Sequence, residues 1–185
     1  MRRFLEKYLN SKTLIIFGTL TIIIYIFMLW VSMPKIAIYS DGMPMFDMMF
    51  SGYDQNYALK FMKTLGEEGR NAYLFPQLTI DLFFPLAYVP TFILLICIFL
   101  KKTNLFSKPI FYISLLPLFT GIFDYGENLS VIFMLCSFPY VSQSITEFSS
   151  MCTVLKSTTL MADMLLIALC FIWFLLYKLI KRIYR

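Results

Sequence analysis

Long apolar runs separated by short polar links dominate the chain. Four stretches, at residues 13–33, 78–100, 109–136 and 153–177, are each long enough to cross hydrocarbon as a helix, which takes about 20 mainly apolar residues. The pattern predicts an all-α integral membrane four-helix bundle, a single membrane domain over residues 1–185. The long segment at 34–77 is patterned too. DQNYALKFMKTLG, opened by Asp54, repeats Tyr57, Phe61 and Leu65 every four residues and stops at Gly66, which predicts a short amphipathic helix. Glu67 then opens a second helix expected to run unbroken into the second span.

Each span carries a polar line. At roughly 100° per residue, Arg70, Tyr73, Gln77, Asp81, Pro85 and Tyr88 all fall within about 60° of one line on the second helix. Pro117, Thr120, Asp124, Glu127 and Asn128 do so on the third. Ser149, Cys152, Lys156, Thr159, Asp163 and Cys170 form a line on the fourth, and Gly18, Thr21, Tyr25 and Ser32 a weaker one on the first. Four spans with one polar line each describe a bundle whose polar faces point inward.

Composition strengthens the membrane reading. The 185 residues are 59% hydrophobic and only 15% charged, with a mean hydropathy of +0.74, whereas soluble domains hold about 25% charged residues. Lys and Arg gather in the N-terminal tail (Arg2, Arg3, Lys7, Lys12), in the 101–108 link (Lys101, Lys102, Lys108) and in the C-terminal tail (Lys178, Lys181, Arg182, Arg185). The link at 137–152 has none, so both termini are expected on the cytoplasmic side of the cytoplasmic (inner) membrane, with 34–77 outside. The first span is longer than a signal-peptide core and lacks a small-residue cleavage site, so it reads as uncleaved.

On this topology Asp81, Asp124, Glu127, Asn128 and Asp163 meet in the outer half of the bilayer, with Arg70, Tyr73, Gln77 and Lys156 at the mouth of the resulting cavity. Asp124, for instance, lies 15 residues past Pro109, about 22 Å along a helix. Four carboxylates then face two cations, an excess of two negative charges. A charge at the bilayer centre costs on the order of 3 kcal/mol even on lenient scales. Protons, a bound cation or water must therefore offset the excess, unless Asp124–Lys156 and Glu127–Arg70 pairs act as interhelical glue.

Several chemistries are excluded or weakened. The chain has no histidine, and no basic stripe suited to nucleic acid. The four cysteines form no CxxC pair; Cys136 and Cys152 flank one short link, a spacing compatible with a disulfide. Met43, Met45, Met48 and Met49 offer soft thioethers to Cu(I), though the same residues suit an apolar interfacial loop.

LGEEGRNAYL, QLTIDLFFPLAY, FDYGENLSV and FSSMCTVLKS, in this order, resemble a group of small four-span bacterial membrane proteins with GRxAYL, DxxFPLxY and DxxEN patterns. The resemblance covers about residues 53–156 and supports Arg70, Tyr73, Asp81, Tyr88, Asp124, Glu127, Asn128 and Lys156 as a set, with Asp163 and the methionines outside it. It implies a fold and no activity or cofactor.

Three functions stay open. The carboxylate-lined cavity binds a cation, a proton or a lipid headgroup, as a transport-type or accessory subunit. Alternatively, an intramembrane enzyme acts on a lipid or lipid-linked substrate, with Asp124 or Glu127 as general base, or with Asp81, Asp124, Glu127 and Asp163 supplying oxygens to a hard metal ion. In the third reading the polar lines join a structural subunit to a homo-oligomer or a partner membrane protein.

Overall fold

A computed structural model describes residues 2–183; Arg185, counted in the basic C-terminal tail, lies outside the described residues, as do the side chains of Arg2 and Arg3. Among the described residues the fold is helical without strands. Helix α1 is Arg2–Tyr8, and α2 is Ser11–Phe27, capped by Asn10, whose side chain accepts from the Thr13 N–H at 2.8 Å. A π-helical turn at Met28–Ser32 joins α2 to α3, Met33–Tyr39. Helix α4 is Gln55–Ala72, a π-helical segment covers Tyr73–Leu78, and α5 is Thr79–Lys102. A 3₁₀ segment at Pro109–Leu115 precedes α6, Leu116–Ser137, and α7 runs from Gln143 to Ile183. Four helical stretches are long and apolar enough to cross a membrane: Ser11–Tyr39, Gln55–Lys102, Pro109–Ser137 and Gln143–Ile183.

The amphipathic stretch ends where its glycine falls. Asp54 caps α4 by accepting from the Tyr57 N–H at 2.7 Å, and Gly66 takes φ 63°, a left-handed angle that suits glycine. A second interruption follows at Phe75 (φ −136°, ψ 113°), just before Pro76. The helix expected to run unbroken from Glu67 is thus bent before it reaches Asp81.

Helix α5 contacts α2, α6 and α7, and α6 and α7 form the most extensive pair. Glycines permit two of these approaches. A Cβ at Gly121 would lie 2.8 Å from Val89 Cγ2, and one at Gly126 would lie 2.8 Å from Cys152 Sγ. Helix α2 has no buried residue, in keeping with a span that turns most of its surface to lipid.

Two apolar cores result. One gathers Ile36, Phe46, Phe61, Met62, Tyr73, Leu78, Val131 and Met134, and the other Tyr88, Ile93, Ile96, Cys97, Leu100, Phe111 and Cys170. The link between α3 and α4 folds into the first core. Phe46 is fully buried, with ring centroids 4.7 Å from Tyr53 and 4.9 Å from Phe61. Met45 is buried there while Met48 is half-exposed, so the methionines divide between core and surface. All four cysteines are free thiols, Cys136 exposed and Cys152 buried.

Candidate functional site

Between the two cores lies a polar layer. Asp124, Glu127 and Asn128 are each 1% exposed although they occupy one turn of an otherwise apolar helix. Their neighbour across the α6–α7 contact is Lys156. Its Nζ lies 2.9 Å from Asp124 Oδ1 and 2.7 Å from Glu127 Oε2, so one ammonium bridges two carboxylates. Gly126 lets α7 come close enough for this, since its missing side chain leaves room for Cys152 one turn from Lys156. The remaining lone pairs are taken by neutral donors. Tyr88 Oη donates to Asp124 Oδ2 at 3.0 Å, Asn128 Nδ2 to Asp124 Oδ1 at 3.3 Å, and Thr153 Oγ1 to Glu127 Oε1 at 2.5 Å.

Two further carboxyls join through space. Asp81 of α5, buried, feels the charges of Lys156, Asp124, Asp47 and Glu127. Asp47, from the 3₁₀ turn Phe46–Met48, enters from the α3–α4 link, and its Oδ1 is buried with no hydrogen-bond partner. Burial pushes the Asp47 carboxyl up to about 6, against the pull of Lys156 and a backbone N–H, with Glu127 and Asp124 adding to the rise. Tyr53, in the same link, donates through Oη to Ser149 Oγ at 2.7 Å, and burial pushes its phenol up.

The other residues expected at the site disperse. Arg70 Nη1 donates to the Met62 carbonyl at 3.0 Å, and its guanidinium stands 4.5 Å over the Phe138 ring. Glu127 therefore pairs with Lys156 and not with Arg70. Gln77 is buried and accepts from Ser32 Oγ, tying the second helical stretch to the first. Tyr73 packs in the first core, its ring 6.2 Å from Phe46. Asp163 stands apart: Thr120 Oγ1 donates to its Oδ2 at 2.6 Å, and its Oδ1 is buried without a partner.

The polar layer is closed. Lys156 keeps 15% of its side chain exposed, against 1% for each carboxylate it bridges. A surface recess of about 400 Å³, lined by Lys35, Tyr39, Glu68, Asn71, Ala72 and Phe75, includes none of the clustered carboxylates. Among the described residues no three acidic or thiol side chains are arranged to hold a metal ion. Comparison with protein-family models, curated proteins and solved structures finds no match, so the reading of the site rests on its own geometry.

Asp47, Tyr53 and Thr153 escape the sequence reading. Thr153 carries a usable signal, since it stands three residues before Lys156 and so shares its helical face. For Asp47 the only hint is an acid set inside MPMFDMMF.

Proposed function

We propose that the chain is a multi-pass protein of the cytoplasmic membrane, with both termini cytoplasmic, whose buried carboxylate cluster in the outer half binds an exchangeable proton. The concentration of Lys and Arg in the tails and the 101–108 link supports the orientation. One observation carries the functional reading: among the described residues Lys156 is the one cation that bridges Asp124 and Glu127, and its charge also acts on the buried Asp47 and Asp81. Fully ionised, four negative charges against one positive would leave −3 in a space closed to solvent. Burial and like-charge repulsion both oppose that state. Lys156 holds Asp124 and Glu127 as a charged triad, so the surplus falls on Asp81 and Asp47. A proton on either lowers the excess without requiring a ligand cage. A transport-type or accessory role follows, with the proton as the species bound.

The test is a proton count in lipid nanodiscs. A weakly buffered sample is titrated from about pH 8 to about pH 5 and compared with D81N and with D47N. Wild type should take up more protons per chain than D47N over this range, because burial pushes the Asp47 carboxyl up to about 6. Identical titration curves would sink the proposal. Uptake suppressed by adding an alkali or divalent salt would move the site from protons to cations.

A further inference from the structure

Helix α7 carries a polar contact at four of five positions spaced by seven. Ser149 accepts from Tyr53, Lys156 bridges Asp124 and Glu127, Asp163 accepts from Thr120, and Tyr177 accepts from Asn104 at 2.9 Å, while Cys170 packs with Cys97 in the second apolar core. Seven residues return to within about 20° of the same face, so successive contacts are neighbours on a line that winds about 80° around the helix from Ser149 to Tyr177. Lys156 to Tyr177 is 21 residues, roughly 32 Å of helix and close to the thickness of the hydrocarbon layer. Asp163 lies a third of the way along that length, about 10 Å from Lys156. It is fully buried, Thr120 is its one hydrogen-bond donor, and no cation of the described residues acts on it. An ionised carboxylate there would be an uncompensated charge near the bilayer centre, the least favourable place for one.

We propose that Asp163 and Thr120 form a second proton-holding site, separate from the Lys156 cluster, and that the two lie on one proton path along α7. The path rests on the proton-binding reading of the cluster, whereas the Asp163 site stands on its own contacts. The step is a proton transfer without redox change. The O–H bond of the donor breaks, an O–H bond forms at Asp163 Oδ1, and the proton later leaves to water on the cytoplasmic side. The two sites are seven residues apart on α7, about 10 Å, too far for direct transfer, so the step requires a transient opening that admits water between them.

The experiment pairs infrared spectroscopy of the protonated-carboxyl region with proton flux into vesicles, both on the full chain in bilayers. The flux is driven by a potassium diffusion potential and read by an internal pH dye. Wild type should show protonated-carboxyl absorption and flux above that of protein-free vesicles. D163N should lose one band, keep the band that D81N removes, and drop to the flux of protein-free vesicles. T120V, a smaller change that guards against misfolding of D163N, should keep the Asp163 band but shift its frequency. A D163N spectrum matching wild type, or an unshifted Asp163 band in T120V, overturns the second site. Wild-type flux equal to that of protein-free vesicles overturns the path. Loss of a band in D163N with none lost in D81N or, at about pH 5, in D47N supports the Asp163 site while overturning the cluster reading.

Discussion

Replacing Lys156 by Met tests the cluster at its only cation. Methionine keeps most of the stem, so packing changes little, while the ammonium that bridges Asp124 and Glu127 at 2.9 and 2.7 Å is lost. Both carboxylates are 1% exposed and cannot turn to solvent. Breaking one buried ion pair in this way costs about 3–5 kcal/mol, because the surviving charge is left uncompensated. Here two charges are stranded, and proton uptake caps the penalty. A loss at the upper end of that range is expected near neutral pH, a drop in Tm on the order of 10 °C. Acidification neutralises the stranded carboxylates, so the deficit of K156M should shrink as the pH falls. The triple variant K156M/D124N/E127Q should be more stable than K156M alone, as happens when a whole ionic group is neutralised together. The assay is thermal unfolding in detergent followed by circular dichroism, repeated across pH. A Tm for K156M within a degree or two of wild type, or a deficit that does not change with pH, would refute the reasoning.

Other outcomes follow from the same structure. Asp47 has its carboxyl raised from the ordinary 3.8 to about 6, so the folded state holds a proton that the unfolded state has lost. Its contribution to stability is greatest below the lower value and declines as pH rises to the upper one, by at most about 3 kcal/mol; D47N should flatten that part of a stability–pH profile. Thr153→Val removes the donor to Glu127 Oε1 and should cost about 1–3 kcal/mol in the same unfolding assay. Gly126→Ala places a Cβ 2.8 Å from Cys152 Sγ and should destabilise by about 1–3 kcal/mol, with most of the loss recovered in a Cys152→Ala background. For topology, Y140C in a Cys136→Ser background should react with a membrane-impermeant maleimide in intact cells, whereas S107C, in the basic link, should react only after lysis; the reverse pattern would invert the orientation.

The spans are legible because twenty consecutive apolar residues leave a chain few alternatives. Their ends are less so. Helix α7 begins ten residues before the expected span because Ser149 and Ser150 are held by Tyr53 and the 49–53 link, contacts that hydropathy does not encode. The lines on α6 and α7 survive projection, since both helices keep a regular phase from Thr120 to Asn128 and from Ser149 to Cys170. The line on the second stretch does not. Projection from Asp81 back to Arg70 assumes an unbroken helix, and the extended backbone at Phe75 resets the phase between them. Arg70 consequently meets Met62 and Phe138 instead of Glu127. Asp47 was out of reach for a different reason: a link residue has no period, and its position is set by Phe46 anchoring in the first core.

The central claim is that the cluster keeps a proton. The decisive measurement is the infrared spectrum of bilayer-embedded protein at neutral pH, with aspartate carboxyls carrying carbon-13 to separate them from glutamates. The expected result is protonated-aspartate absorption that D81N diminishes; Asp47, pushed up to about 6, is mostly ionised at this pH. A spectrum in which every carboxyl is ionised, from protein that retains no cation, would contradict it.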